Sequence, residues 1–192
     1  MNYYFIANNP LNSEILKNYN FNNNDTVIIF NKNMHGKLKC IKEAKNKIHF
    51  FRISGDEFKF HGFKNYNDFN NIKKIIISSN SNILNVNDNK YVFDDNVNGN
   101  IVKKFLLNNI EIKNEKYINL LEKIPQSGSL AFEYMYNKYR ICDDKNNKIY
   151  LVGFTSIYLK NNKNNLWYKH SKELEDLYFS LKMKEHKNIF RL

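Results

Sequence analysis

The sequence is poor in several residues and patterns that mark common classes of protein. It has only two cysteines, Cys40 and Cys142, which form no CxxC pair, so neither a disulfide scaffold nor a zinc site is expected. No apolar run approaches the roughly 18 residues of a transmembrane helix, and the polar start lacks the form of a secretory signal. These absences predict a soluble, intracellular protein. The length of 192 residues suits a single domain over residues 1–192.

Several motifs of catalytic and nucleotide-binding sites are also missing. The sequence has no GxGxxG and no GxxxxGK[ST], which argues against the common dinucleotide and P-loop sites. It has no GxSxG elbow and no HExxH. No Asp-x-Asp occurs either, because the acidic pairs Asp94-Asp95 and Asp143-Asp144 are adjacent residues in polar segments. The sequence therefore offers no obvious set of metal ligands.

Arginine is scarce although the chain is basic. The net charge is +11, but only three of the 30 basic residues are arginine, at Arg52, Arg140 and Arg191. Proteins that read nucleic acids normally use arginine forks on bases and phosphates, so no nucleic-acid partner is expected. Asparagine makes up roughly a fifth of the chain, and like lysine, isoleucine, tyrosine and phenylalanine it has A/T-rich codons. Genome composition therefore explains the profile, although diffuse lysine charge still permits loose attraction to phosphates or an anionic membrane surface.

Apolar segments of strand length alternate with helical patterns along most of the chain. The predicted strands are Tyr3–Ala7, Thr26–Phe30, Ile48–Ile53, Ile75–Ser79 and 148–154. The first predicted helix is short, is capped by Asn12 or Ser13, and has Ile15 and Leu16 on its inner face. Three further helices are predicted: Ile101–Leu107, one that carries Leu130 to Tyr139, and one over about Ser171–Lys184. Continuously apolar strands are typical of a sheet that helices cover on both faces. The pattern predicts an α/β fold with a mostly parallel sheet.

The middle of the chain and the C-terminal tail give weaker signals. A polar helical stretch is expected around Asp68 to Lys73, and 80–100 is expected to be loop or a hairpin carrying Tyr91–Phe93. Ile110–Ile112 fits a further strand. Whether Lys182–Leu192 docks on the domain, on a partner or on a membrane is left open.

Polar side chains at the ends of the first two predicted strands form the first candidate site. Ligands of parallel α/β sheets bind outside the carboxyl ends of the strands. Asn8 and Asn9 follow the first strand, and Asn31 follows the second. Each of them also fits an ordinary loop asparagine in a chain so rich in this residue.

Two helix starts in the last third of the chain form the second candidate. Ser127 and Gly128 open a predicted helix, where a hydroxyl and backbone amides suit a phosphate or a carboxylate. His170 stands just before the last predicted helix, whose positive end favours the neutral imidazole that a general base requires. An ordinary capping or surface histidine fits this position as well.

Five short blocks occur in an order that resembles a known family. They are Ala7-Asn8-Asn9-Pro10, Phe30-Asn31, Ser127-Gly128, Ile149-Tyr150-Leu151-Val152-Gly153 and His170-Ser171-Lys172. In this order they resemble the bacterial sialyltransferases related to the Campylobacter lipooligosaccharide enzymes, glycosyltransferase family forty-two. Animal sialyltransferases are similar through Pro125, Gly128, Gly153-Phe154 and His170. The resemblance covers roughly the first 35 and the last 70 residues.

The resemblance implies a Rossmann-like fold and an inverting, metal-independent glycosyltransferase. Such an enzyme transfers a sugar, here expected to be sialic acid, from a donor activated by cytidine monophosphate (CMP) to a cell-surface glycan such as lipooligosaccharide or capsule. It implies no metal or other cofactor and a cytoplasmic location, with peripheral contact to the inner membrane and self-association both left open. The resemblance implies that His170 is the general base and that the lid tyrosines Tyr158 and Tyr168 stabilise the departing phosphate. It also implies that Asn8, Asn9 and Asn31 contact CMP. Ser127 and Gly128 would contact the phosphate or the sugar carboxylate.

The chain departs from the family pattern at three points. Asn9 stands where the family has a glycine, and Ile124 stands where an arginine is expected before the Ser-Gly pair. Only 15 residues separate Phe154 from His170, so the lid expected at about 155–170 is short. These departures leave a second interpretation open, a non-catalytic relative that binds a nucleotide or a glycan.

Overall fold

The fold is described from a computed structural model of the chain. It describes residues 1–9, 12–30, 38–54, 59–60, 73–78, 91–93, 99–110, 121, 125–154 and 172–192. The strands are β1 Asn2–Ile6, β2 Thr26–Phe30, β3 Asn46–Ser54, β4 Lys59–Phe60, β5 Lys73–Ser78, β6 Tyr91–Phe93, β7 Lys148–Val152 and β8 Ile189–Arg191. The helices are α1 Asn12–Leu16, α2 Lys39–Glu43, α3 Gly99–Asn109, α4 Ser127–Tyr139 and α5 Lys172–Glu185.

The strands form one sheet in the order β6-β5-β3-β2-β1-β7-β8, and every neighbouring pair in this order is parallel. The two-residue strand β4 pairs with β3 in the antiparallel direction. All five residues of β2 are buried, as expected for a central strand with covered faces. The structure thus confirms the predicted α/β, Rossmann-like fold with a mostly parallel sheet.

Helices cover both faces of the sheet, as the sequence predicts. On one face, Leu16 of α1 and Ile41 of α2 pack in a core cluster with Tyr4 of β1. On the other face, Leu130 of α4 and Tyr178 of α5 pack in a larger cluster with β-strand residues including Phe5 and Ile28. Because neighbouring strand residues point to opposite faces, the adjacent aromatic residues of β1 contribute to different layers.

Several local predictions were wrong or incomplete. Tyr91–Phe93, expected within a loop or a hairpin, forms β6, which pairs in parallel with β5, and the rest of 80–98 lies outside the described residues. Lys73, expected in a helix, is the first residue of β5. Ile15, expected on the inner face of α1, is 46% exposed, since a helix of little more than one turn directs only part of its apolar residues to the sheet. The predicted strand at Ile110–Ile112 lies mostly outside the described residues.

The structure also adds elements that the sequence analysis did not predict. These are α2, β4 and β8. β8 resolves the open question of the tail, because it pairs with β7 and buries Ile189 in the core. Within the described ranges, no helix has the length and apolar character needed to span a membrane.

Candidate functional site

The direction in which the chain crosses the sheet reverses between β1 and β7. From β1 the chain passes through α1 to β2, its neighbour on one side, whereas from β7 it leads to α5 on the opposite face and then to β8 on the other side. In open α/β sheets, ligands bind outside the carboxyl ends of the strands at such a reversal. Here those ends are followed by 7–9 and by Gly153-Phe154. We call this region the carboxyl-edge crevice.

Asn8 and Asn9 both lie at this crevice but face different surroundings. The Asn8 side chain is exposed, and its Nδ2 donates to the Phe30 carbonyl at 2.9 Å, at the end of β2. Asn9 is only 6% exposed, and its Nδ2 donates to the Gly153 carbonyl at 3.1 Å. Asn9 therefore turns its side chain into the protein and ties the end of β1 to the residue after β7.

The start of α4 lies at the same edge. A Cβ atom placed on Gly128 would overlap the Phe154 ring and would lie 2.9 Å from Oε1 of Glu175. This close approach requires glycine, because the residues after β7 and on α5 fill the space a side chain would need. Ser127, the first residue of α4, is buried beside it, and the N-cap residue Gln126 makes no hydrogen bond from its side chain to the helix.

Glu175 is a crevice residue that the sequence analysis did not assign. Its carboxylate oxygen Oε1 is buried next to Gly128, at the amino end of α4, where the helix dipole favours negative charge. The sequence shows three acids in the same turn of α5, so no pattern distinguishes this one. Packing does so: Glu173 is exposed, and Asp176 forms an ion pair with Arg191 at 3.1 Å.

The structure brings four of the predicted residues to one edge of the sheet: Asn8, Asn9, Ser127 and Gly128. The other four, Asn31, Tyr158, Tyr168 and His170, lie outside the described residues, as does the lid expected at 155–170, so their roles stay predictions. Across the part of the chain that is described, no group of three or more histidine, cysteine or acidic side chains is arranged to hold a metal ion. In comparisons with known proteins, no family model, curated protein or solved structure matches the chain.

Proposed function

We propose that the chain is an inverting, metal-independent glycosyltransferase that uses a CMP-activated acidic sugar, with sialic acid as the leading candidate, and a glycan acceptor. The observation that carries the proposal is the reversal of strand order between β1 and β7. It gathers Asn8, Ser127 and Gly128 at one crevice, although more than a hundred residues separate Asn8 from the other two. These are positions at which the resemblance to sialyltransferases predicts donor contacts.

The crevice offers two kinds of group that suit a nucleoside monophosphate. Asn8 is exposed there, and an amide side chain both donates and accepts hydrogen bonds, as recognition of a pyrimidine or a ribose requires. The amino end of the 13-residue helix α4, whose first residues are buried beside Phe154, adds the positive end of a helix dipole at the same edge. A phosphate seated at this end needs no metal ion to offset its charge.

The proposed reaction is a single displacement at the anomeric carbon of the donor. His170 accepts the proton of the acceptor hydroxyl, the acceptor oxygen forms a bond to the anomeric carbon, and the bond from that carbon to the phosphate oxygen breaks. CMP leaves with the bonding electron pair, and the hydroxyls of Tyr158 and Tyr168 donate hydrogen bonds to its phosphate. The sequence places His170 two positions before Lys172, the first residue of α5.

Release of CMP from a panel of CMP-sugars, with and without glycan acceptors, tests the proposed reaction. Loss of a general base lowers turnover by about 10²–10⁴-fold, so His170→Ala is expected to fall in that range. His186→Ala is the matched control, because this histidine follows the other end of α5 and contacts Tyr136 and Glu185. Equal turnover in wild type and His170→Ala would remove His170 from the mechanism.

Calorimetric titration with CMP tests the binding half of the proposal separately. Asn8→Ala is expected to weaken CMP binding by up to about tenfold, the worth of one hydrogen bond of about 1 kcal/mol or slightly more. Asn146→Ala is its control, since Asn146 is also exposed but precedes β7 at the opposite edge of the sheet. Unchanged affinity in Asn8→Ala would place the nucleotide elsewhere.

A second candidate function is binding of a nucleotide or a glycan without transfer. The position of Glu175 favours its glycan-binding form, because a carboxylate beside the amino end of α4 repels a phosphate at that helix end, whereas a neutral glycan carries no such charge. Under this alternative, CMP or a glycan raises the melting temperature, but no CMP-sugar is consumed by the wild-type protein. Consumption of a CMP-sugar would exclude it.

A further inference from the structure

Asn12 joins the ends of the two strands between which the strand order reverses. Its Nδ2 donates to the Ala7 carbonyl after β1 at 2.7 Å and to the Val152 carbonyl at the end of β7 at 3.2 Å. The residue is completely buried. One amide group therefore bridges the two strand ends from inside the protein, with no surface of its own for a ligand.

Gly153 is shaped around this amide. Its φ of +72° lies in the left-handed region, and a Cβ atom there would overlap the Asn12 side chain. Its carbonyl accepts from Asn9 Nδ2 at 3.1 Å, and its N–H donates to the Leu192 carbonyl at 3.0 Å. We call Asn9, Asn12 and Gly153 the asparagine lock.

The lock fixes both walls of the carboxyl-edge crevice. On one side, Asn9 donates its N–H to the Ala7 carbonyl at 2.9 Å. The exposed Asn8 therefore lies between Ala7 and Asn9, which this hydrogen bond joins. On the other side, Gly153 leads directly to Phe154, which covers Gly128 at the start of α4. A shift of the lock would move these two walls relative to each other.

From this arrangement we infer that Asn12 is a positioning residue, which touches no ligand but sets the spacing between Asn8 and the amino end of α4. The inference rests on the proposed function, because it assigns the spacing to recognition of a nucleoside monophosphate. A preformed crevice binds more tightly than one that must be ordered on binding, so loss of Asn12 lowers affinity without removing a contact to the ligand.

The substitution Asn12→Leu removes the bridge and keeps the branched shape of the side chain, with two methyl groups in place of the amide oxygen and nitrogen. Both carbonyls retain a backbone donor, Ala7 from Asn9 N at 2.9 Å and Val152 from Ala7 N at 3.0 Å. Neither is left buried without a partner, so the variant is expected to fold. The matched control is Asn147→Leu, which removes another buried asparagine, one that donates to the Ile141 carbonyl at 3.1 Å at the amino edge of the sheet.

The experiment measures CMP affinity by calorimetry and stability by chemical denaturation in both variants. We expect Asn12→Leu to weaken CMP binding by at least about tenfold, and Asn147→Leu to bind like wild type after a comparable loss of stability. Equal loss of affinity in both variants, or none in Asn12→Leu, overturns the inference, because a merely structural role predicts the same effect at equal stability.

Hydrogen exchange separates this inference from the proposed function. In Asn12→Leu, the amides of Ala7, Asn9 and Gly153 are expected to exchange faster than in wild type, whereas the amides of α5 keep their protection. If wild type binds no CMP, the proposed function fails, and the exchange result alone decides whether Asn12 holds the crevice. Unchanged protection at these three amides overturns the positioning role.

Discussion

Replacing Lys182 by methionine is expected to cost several kcal/mol of stability, because this lysine is buried with its charge paired. Its Nζ lies 3.1 Å from Oε1 of Glu133, and the two side chains are 2% and 4% exposed. The same carboxylate accepts hydrogen bonds from the Tyr178 hydroxyl at 2.7 Å and from Asn137 Nδ2 at 3.0 Å. The group links α4 to α5 within the core.

The structure allows the size of the effect to be worked out. Removing one partner of a buried ion pair costs about 3–5 kcal/mol, since the other charge stays buried without compensation. In Lys182→Met the two hydrogen bonds to Glu133 remain, which favours the lower end. The ammonium also lies 3.9 Å and 3.7 Å from the ring centroids of Phe105 and Tyr136, and loss of such contacts adds up to about 2 kcal/mol. A total of about 3–5 kcal/mol lowers the melting temperature by roughly 6–20 °C in a chain of this size.

Denaturation by urea in a double-mutant cycle with Glu133→Gln provides the decisive assay. Because the second substitution removes the unpaired charge, Lys182→Met with Glu133→Gln is expected to be more stable than Lys182→Met alone. Lys39→Met serves as the control, since Lys39 and Glu43 form a pair at 3.8 Å with side chains 84% and 60% exposed. It is expected to change stability by less than about 1 kcal/mol. Additive effects of the two buried substitutions would refute the reasoning.

Three further predictions follow from burial and close packing. Burial raises the pKa of the Cys40 thiol and raises that of Cys142 to about 12. Neither thiol is therefore expected to react with a disulfide reagent at about pH 8 before the chain unfolds, and labelling of the native protein would contradict this. Burial and the nearby carboxylate raise the pKa of Tyr178, so stability from the neutral phenol is lost as pH rises above about 10, and Tyr178→Phe should flatten that fall in denaturation midpoint. Gly128→Ala is expected to lower the free energy of unfolding by about 1–3 kcal/mol, because the added Cβ overlaps the Phe154 ring. Helix propensity alone predicts the opposite, a gain in stability of about 1 kcal/mol, so a raised melting temperature would exclude the overlap.

The central strands could be predicted because their apolar runs are continuous. Thr26–Phe30 was predicted with the bounds that the structure shows, and β1 and β7 differ from the prediction by one or two residues at their ends. The three-residue strand β8 was not predicted, because so short a segment carries no readable period. Its strand state depends on pairing with β7 after the return through α5. The same dependence on a neighbour explains why Tyr91–Phe93 was expected in a loop or a hairpin, whereas β6 pairs in parallel with β5.

The carboxyl end of the sheet could be predicted as the place of the candidate site, but the crevice between β1 and β7 and its internal geometry could not, because they depend on the order of the strands. Adjacent and identical residues such as Asn8 and Asn9 differ only in what packs around them, and Gly153, the residue after β7, accepts a hydrogen bond from Asn9 from 144 positions away. Gly153, whose φ is positive, likewise packs against the Asn12 amide, a contact that no local pattern encodes.

Codon composition predicts abundant asparagine, and the structure uses this residue at both edges of the sheet. Asparagine side chains that donate to backbone carbonyls or to the Asp25 carboxylate at the amino edge are Asn2, Asn46, Asn147 and Asn188, and those at the carboxyl edge are Asn8, Asn9 and Asn12. Backbone carbonyls at the ends of strands lie beyond the regular hydrogen bonding between strands, and the short side chain of asparagine can donate N–H groups to them. Frequency therefore does not distinguish a ligand-binding asparagine from one that closes the sheet. Exposure separates the three residues at the carboxyl edge: Asn9 and Asn12 are buried, whereas Asn8 is exposed, which is why Asn8 is the one proposed to contact the nucleotide.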